Sequence, residues 1–286
     1  MLNAVSWRLK IAAKFVLSRL PARYAFWSRL GIFRHGLMDR PEYAFDVVNL
    51  HMDRLGGCQP KAGFTCLELG PGDSLASALV ARALGASTTY LVDAGSFARG
   101  DISFYRHVAA LLEERSCPLP ANVRWDDVDS LLRSCDAHYL TKGLESLRHI
   151  PDASIDRVWS HAVLEHIPLE EFAQTMREMR RVLRDGGACS HRVDLRDHIN
   201  GGLNSLRFPQ HRWESKWMRS SGIYTNRIRF REMITIFKES GFDVRVVKEE
   251  RWSHLPIRAD QLSEPFRSMP HEDLMVSGFD VVLRPA

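Results

Sequence analysis

Apolar residues along the chain alternate between short runs of strand length and longer stretches with helical spacing. The best defined short runs are residues 64–69, 88–92 and 155–160, and helical stretches between runs end at glycines such as Gly85 and Gly241. Further short runs occur at residues 137–140, 188–195, 244–247 and 279–283. Alternating β and α units predict a parallel sheet with helices on both faces.

Two regions complete this predicted order of elements. Two helices are predicted between residues 102 and 132, separated by Pro118 and Pro120. A helix with apolar positions from Phe172 to Leu183 is predicted to end at the glycine pair 186–187. Because no clear helix lies between residues 270 and 279, we predict that the last strand runs antiparallel to its neighbours.

The first 57 residues differ from the rest in charge. Residues 1–38 contain no Asp or Glu, and their basic residues alternate with aromatic ones. A helix is predicted after them, with Asp39 as its cap and Pro41 in its first turn. We predict an N-terminal basic helical extension, residues 1–57, before a domain of residues 58–286. The extension either packs on the domain or contacts anionic lipid or a lipid-linked substrate.

Composition excludes several classes of protein. The 286 residues are 45% hydrophobic and 26% charged, which is ordinary for a globular chain, and the net charge of +4 is too small to indicate nucleic-acid binding. Five scattered cysteines form no C-x-x-C pair and indicate a reducing cytoplasm. No cleavable leader and no uncharged run of about 20 residues is found. We expect a cytoplasmic protein, at most peripheral at the inner membrane face.

The segment LELGPGDS, residues 67–74, carries the clearest chemical motif. Gly70 and Gly72 follow the first predicted strand, and glycine permits tight turns and close approach of a ligand to the backbone. A dinucleotide site prefers G-x-G-x-x-G, but Leu75 stands at the third glycine position and Asp73 is negatively charged. Glu68 suits a cationic ligand such as an ammonium or a sulfonium. A nicotinamide oxidoreductase is therefore the weaker alternative.

Four segments in this order resemble the class I S-adenosylmethionine-dependent methyltransferases. They are CLELGPGDS, TTYLVDAG, SIDRVWSHAVLEHI and MREMRRVLRDGG, within residues 64–195. The resemblance is greatest to the small-molecule and ubiquinone-type group. It implies an α/β fold with a Rossmann-like, seven-stranded, mostly parallel sheet, helices on both faces and an antiparallel last strand. It also implies S-adenosyl-L-methionine as the cofactor.

The resemblance also implies roles for individual residues. Glu68, Gly70 and Gly72 would line the methionine part of the cofactor, and Asp93 would accept hydrogen bonds from the ribose hydroxyls. The adenine contact falls near Gly143, although the register of that segment stays open. The predicted cofactor-binding residues are Glu68, Gly70, Pro71, Gly72, Asp93, Gly143, Leu144, Ser160 and His161.

A hydroxyl acceptor must lose a proton, and histidine is the usual base near neutral pH. The predicted catalytic residues are His191, His166, Asp194 and His198. His191 and Asp194 face opposite sides of a regular strand, so only a bulge would bring them together. The segment HRVDLRDH can also be interpreted as a metal cluster that adds Asp197, or as a polar rim with Arg192 and Arg196. We predict no metal.

Residues 196–228 interrupt the alternation of strands and helices. Aromatic residues including Trp213 and Trp217 alternate there with basic ones such as Arg207 and Arg212. This mixture suits sugar stacking or an anionic substrate, and it would also suit RNA. We predict an acceptor-site wall or lid, and the alternative is a packed helical insert.

The sequence therefore predicts a bacterial-type, S-adenosylmethionine-dependent methyltransferase. We expect O-methylation of a small molecule or a glycan, which could be lipid-linked or nucleotide-linked, and no nucleic-acid partner. The tetrapeptide SHAV, residues 160–163, replaces the [DN]-P-P-[YFW] signature of many amino-group methylating enzymes, which favours oxygen or carbon acceptors. The alternatives are an RNA or protein methyltransferase and a non-catalytic, cofactor-binding partner subunit.

Overall fold

A computed structural model describes residues 37–56, 63–98 and 100–286. Most of the basic segment, residues 1–38, lies outside the described residues, and so does its predicted contact with lipid. Within the described ranges, no helix combines the length and the apolar character needed to cross a bilayer.

Seven strands form a single sheet in the order β3-β2-β1-β4-β5-β7-β6. Strand β7 runs antiparallel to both β5 and β6, and the pairs among β1 to β5 are parallel. The predicted fold class, including the antiparallel last strand, is confirmed. The strands are β1 Phe64–Leu69, β2 Ala86–Val92, β3 Ala137–Leu140, β4 Ile155–His161, β5 Leu183–Asp194, β6 Phe242–Arg251 and β7 Val276–Pro285.

Helices cover both faces of the sheet. Helices α1 to α4 share one apolar core with residues such as Cys66 and Trp159, and α5, α6 and α9 share the other with Leu67 and Val158. The helices are α1 Pro41–Arg54, α2 Ala76–Ala83, α3 Ile102–Glu114, α4 Val128–Ser134, α5 Leu144–Arg148, α6 Leu169–Val182, α7 Gln210–Trp213, α8 Lys216–Arg219, α9 Phe230–Glu239 and α10 His271–Leu274.

Helix α1 was predicted as part of the extension, yet it packs directly on the sheet. Val48 and Met52 are fully buried in the first core. The Arg54 guanidinium donates to the buried Asp280 carboxylate of β7 at 2.5 Å. The predicted Asp39 cap is wrong in detail, because Arg40 is the N-cap residue and makes no side-chain cap hydrogen bond.

Two further element boundaries differ from prediction. Helix α6 ends at Val182 because the amides of Ala153 and Ser154 bind its last carbonyls, so no glycine is needed to end it. Gly187 instead lies inside β5, where an added Cβ would come 3.0 Å from the Asp156 carbonyl oxygen. The short helix α10, residues His271–Leu274, occupies a stretch where no helix was predicted.

Candidate active site

The bend at residues 70–72 follows β1 and has the backbone shape expected from its glycines. Gly70 and Gly72 have φ of +74° and +68°, a region that favours glycine. A Cβ at Gly70 would lie 2.5 Å from the Cγ2 atom of Val163, beyond the end of β4. Glycine at position 70 therefore lets the bend approach the segment after β4 closely, and the predicted approach of a ligand to this bend stays a prediction.

Asp93 follows β2 and turns its carboxylate toward this bend. Its Oδ2 accepts from the Gly72 amide at 3.0 Å and its Oδ1 accepts from the Ala94 amide at 2.7 Å. Its backbone carbonyl accepts from the amide of Gly143, which has φ of +52°. Three segments that are distant in sequence thus meet at one sheet edge. A carboxylate accepts several hydrogen bonds, so this group has the chemistry to accept from hydroxyls.

Glu68 differs from these residues because its carboxylate points into the protein. Its Oε1 accepts from Trp159 Nε1 at 3.1 Å and its Oε2 accepts from the Ser77 hydroxyl. The side chain is 3% exposed, and burial raises its pKa to about 7. Direct contact between Glu68 and a cofactor therefore stays a prediction. The structure shows that the Glu68 side chain links β1, just before the bend, to strand β4 and helix α2.

The other predicted cofactor residues lie at the same edge of the sheet. Pro71 is buried within the bend, and Leu144 starts helix α5 directly after Gly143. Ser160 is fully buried, and His161, the last residue of β4, is partly exposed. Their contacts with a cofactor stay predictions.

His161 belongs to a relay that the sequence did not predict. Its Nδ1 lies 3.2 Å from Nε2 of His51 on α1, and Nδ1 of His51 lies 2.8 Å from the Ser190 hydroxyl. Burial, with a further contribution from the positive charge of Arg192, lowers the pKa of His161 to about 4. Burial also lowers the pKa of His51 well below 6.5. Both rings are therefore neutral at pH 7.

The residue after His161 has an unusual backbone. Ala162 has φ of +56° although it carries a side chain, and its amide donates to the Arg192 carbonyl at 2.9 Å. Strained non-glycine residues cluster at functional sites, where the surrounding structure holds them in place. The end of β4 thus has the geometry expected of a site.

His191, by contrast, is fully buried against Ser160. Its Nδ1 lies 2.8 Å from the Ser160 hydroxyl, and burial lowers its pKa to about 3. Pairing between β5 and β7 runs from Cys189 to Asp194 without a register shift, so no bulge turns His191 toward Asp194. A buried imidazole offers an acceptor no route to its ring. The structure therefore does not support the predicted role of His191 as proton acceptor.

Asp194 lies in a polar rim, as one of the interpretations of its segment predicted. Its carboxylate accepts from Arg196 Nε and Nη2 at 2.8 and 2.7 Å. Arg192 pairs instead with Glu250 of β6 at 2.9 Å and with Asp280 of β7 at 3.3 Å. Asp194 is held by its ion pair with Arg196, and its predicted catalytic role stays a prediction.

The structure brings His166 and His198 together. Their ring centroids are 4.6 Å apart, and a carboxylate oxygen of Glu165 and one nitrogen from each ring all lie within 4.8 Å of one another. The metal cluster considered for the segment HRVDLRDH is not assembled, because Asp197 accepts from the amides of Ile199 and Asn200 within its own loop. The sequence signal for the group of Glu165, His166 and His198 was that these residues follow the strands β4 and β5 along the chain.

Residues 196–228 form a packed helical insert, the alternative interpretation of that segment. Trp213 is fully buried and donates from Nε1 to the Thr225 carbonyl at 2.7 Å. The Arg227 guanidinium lies over the Trp213 ring at 5.2 Å. Trp217 is 61% exposed, so its face remains accessible. A role as acceptor-site wall stays a prediction.

A family model described as a methyltransferase domain matches residues 122–190, which run from the loop before α4 into β5. Among the curated proteins, none matches this chain. The family match therefore includes β3 and β4 but not the glycine bend.

Solved structures show a likeness of fold. YcgJ from Bacillus subtilis is 14% identical, with 86% of this chain and 99% of that chain covered and a TM-score of 0.45. An arsenic(III) S-adenosylmethionine methyltransferase from Chlamydomonas reinhardtii is 18% identical, with 85% and 71% covered and a TM-score of 0.44. A Haemonchus contortus phosphoethanolamine N-methyltransferase 2 is 15% identical, with 100% and 62% covered and a TM-score of 0.49.

The family match covers the elements from α4 into β5. It supports S-adenosylmethionine as the cofactor of this site. Together these observations confirm the resemblance of the chain to the class I S-adenosylmethionine-dependent methyltransferases.

Proposed function

We propose that the chain transfers the methyl group of S-adenosylmethionine to an oxygen atom of a small molecule or a glycan. The observation that carries this proposal is the contact of three loops at one sheet edge. There the Asp93 carboxylate accepts from the Gly72 amide at 3.0 Å, and the Asp93 carbonyl accepts from the Gly143 amide at 2.8 Å. The arrangement offers ribose hydroxyls a carboxylate beside a bend that contains two glycines.

The electrostatics of this edge suit a cationic cofactor. Asp93 presents an acidic group near the bend, where Gly70 and Gly72 both have a positive φ. A sulfonium is attracted by such a carboxylate, whereas a pyrophosphate would be repelled. This difference favours S-adenosylmethionine over a dinucleotide.

His161 is the group we propose as proton acceptor. In the transfer, the bond between sulfur and the methyl carbon breaks, the bond between oxygen and that carbon forms, and the hydroxyl proton moves to a neutral imidazole. His161 is neutral at pH 7 and partly exposed, and in the tautomer whose Nδ1–H donates to Nε2 of His51, its own Nε2 is the nitrogen that accepts the proton. His51, held in turn by Ser190, is a positioning residue.

The finer proposal concerns the acceptor, a lipid-linked or nucleotide-linked glycan. It is supported by the basic segment, residues 1–38, and by the exposed indole of Trp217, which could stack on a sugar. A cytoplasmic position at the inner membrane face would suit a lipid-linked acceptor.

Transfer of labelled methyl from S-adenosylmethionine into fractionated cell extract tests the function. We expect label in a small-molecule or glycan fraction that resists ribonuclease and protease. In that fraction the labelled methyl group should be bonded to oxygen, in an ether or an ester. Label that ribonuclease or protease removes would favour the RNA or protein alternative. Tight binding of S-adenosylmethionine in calorimetry without transfer to any fraction would favour the non-catalytic partner subunit.

A further inference from the structure

Glu165, His166 and His198 form a group to which the proposed proton transfer to His161 gives no role, and we name it the EHH cluster. The predicted catalytic roles of His166 and His198 stay predictions. Glu165 and His166 lie in the 3-10 turn Leu164–His166 after β4, and His198 lies in the loop after β5. One donor atom from each residue lies within 4.8 Å of the other two. Glu165 is 2% exposed, whereas both histidines are exposed to solvent.

The His166 ring is already oriented as a metal ligand would be. Its Nδ1 lies 3.1 Å from the Tyr224 carbonyl oxygen, to which it donates, and in this tautomer Nε2 is the nitrogen that carries a lone pair. A histidine that binds a metal through one nitrogen commonly donates the other N–H to a carbonyl or carboxylate, which fixes its tautomer.

The turn that carries Glu165 and His166 is held rigidly. The side-chain amide of Asn226 donates to the carbonyls of Leu164 and Ile167 at 2.8 and 3.0 Å, and the Asn226 backbone amide donates to the Glu165 carbonyl at 2.7 Å. Tyr224 and Asn226 therefore fix the turn from one segment. A rigid turn is the support that a ligand set requires.

His198 is positioned by the loop around Asp197. The buried Asp197 carboxylate accepts from the amides of Ile199 and Asn200 at 3.0 and 2.8 Å, and the Asp197 amide donates to the Gly202 carbonyl. This fixes the backbone on both sides of His198. Both histidines thus come from ordered backbone.

The Glu165 carboxyl group is buried with few polar contacts. Its Oε1 accepts from the Asp194 amide at 3.3 Å, and its Oε2 is a buried oxygen with no hydrogen-bond partner among the described residues. No ion pair of Glu165 with Lys or Arg is found in the described part of the chain. A buried carboxylate is costly unless it is paired or coordinates a metal.

We propose that the EHH cluster binds one divalent transition-metal ion. Two imidazoles and one carboxylate are the donor set of many zinc and non-haem iron sites, and they leave further coordination positions open. An ion with bonds of roughly 2.0–2.2 Å fits between these donors after small side-chain rotations. Mg²⁺ and Ca²⁺ prefer sites made of oxygen atoms and are disfavoured here.

Titration of the chelator-treated full chain with ZnCl₂ in a calorimeter, without any cofactor, tests this proposal. Co²⁺ absorption spectra report the coordination geometry of the same site. We expect one ion per chain, and an affinity at least about tenfold lower in each of His166→Ala and His198→Ala. Both histidines are exposed, so neither variant should unfold, and circular dichroism checks this. The matched control is His254→Ala, an exposed histidine far along the chain.

The outcomes separate cleanly. Zinc binding that both cluster variants weaken and His254→Ala leaves unchanged supports the EHH cluster. Binding that none of the three variants changes, the absence of binding at one ion per chain, or binding of Mg²⁺ in preference to Zn²⁺ would overturn it. Because no cofactor is present, these results do not depend on whether the chain transfers methyl groups.

Discussion

The carboxyl edge of the sheet has two halves with different chemistry. The glycine half, which comprises Gly70, Gly72, Asp93 and Gly143, consists of backbone bends and one carboxylate held by amides. The histidine half consists of imidazole side chains, with His51 and His161 on one side and His166 and His198 on the other. We propose that the first half recognises the cofactor by shape and that the second supplies proton or metal chemistry.

This difference assigns separate functions to the two halves. Backbone shape tolerates few substitutions, so changes in the glycine half should abolish cofactor binding. Side chains can be replaced without a change of backbone, so changes in the histidine half should reduce turnover while cofactor binding persists. Each of the following variants tests this separation.

The largest effect is expected from His161→Ala. Loss of the proton acceptor should lower kcat by roughly 10²-fold or more, while the Kd for S-adenosylmethionine changes little. Turnover with labelled cofactor and calorimetry measure the two quantities separately. In the wild type, activity should fall as pH decreases through about 4, where His161 gains a proton. Unchanged kcat in the variant would remove His161 from the mechanism, and His254→Ala serves as the control.

Gly70→Ala should weaken the binding of S-adenosylmethionine by about as large a factor as His161→Ala lowers kcat. The new methyl group would overlap Val163, which costs about 1–3 kcal/mol. The alanine would also have to keep the left-handed φ of residue 70, which costs about 1–2 kcal/mol. We expect the Kd for S-adenosylmethionine to rise by about 100-fold.

Two matched variants sharpen this test of the glycine half. Gly100→Ala is the control, because an added Cβ there meets nothing within 4 Å. The double variant Gly70→Ala/Val163→Ala removes the overlapping methyl groups and should recover part of the affinity. Equal affinity of Gly70→Ala and wild type would show that the cofactor binds away from the bend.

A smaller loss is expected from Asp93→Asn. The amide keeps one acceptor oxygen but loses the charge that strengthens hydrogen bonds to ribose hydroxyls, so affinity should fall by roughly tenfold. The exposed Asp243→Asn provides the control in the same calorimetric titration. An affinity unchanged in Asp93→Asn would exclude this carboxylate from the ribose contact.

The smallest effect concerns stability and not function. The folded protein keeps His191 neutral down to a pKa of about 3, whereas the unfolded chain binds a proton near pH 6.5. Stability from this ring is therefore present above pH 6.5 and is lost as pH falls toward 3. Between pH 6 and 4, the free energy of unfolding of the wild type should fall relative to that of His191→Asn by about 1.4 kcal/mol per pH unit, as urea unfolding measures it. A pH-independent difference would contradict the burial of this ring.

Sequence patterns predicted where the residues of the glycine half lie, because these residues follow strands directly along the chain. Gly70, Asp93 and Gly143 each come just after a strand, and parallel strands bring their carboxyl ends to one edge. The strand periodicity also placed His191 and Asp194 on opposite faces. It could not show that the face carrying His191 is buried.

The histidine half depends on contacts between residues distant in sequence. His51 meets His161 across 110 residues and Ser190 across 139, and nothing in the helical pattern of α1 distinguishes it from an ordinary buried position. Glu165 likewise stands beside His198 only because β4 and β5 are neighbours in the sheet. Such side-chain encounters follow from tertiary packing, which local periodicity does not encode.

The central claim is that S-adenosylmethionine lies along the bend at Gly70–Gly72 with its ribose on Asp93. A crystal structure of the full chain with S-adenosylhomocysteine tests it most directly. We expect both ribose hydroxyls within hydrogen-bond distance of the Asp93 carboxylate and the amino acid part beside the bend. Ligand density elsewhere on the protein, with the bend closed by protein atoms, would contradict the claim.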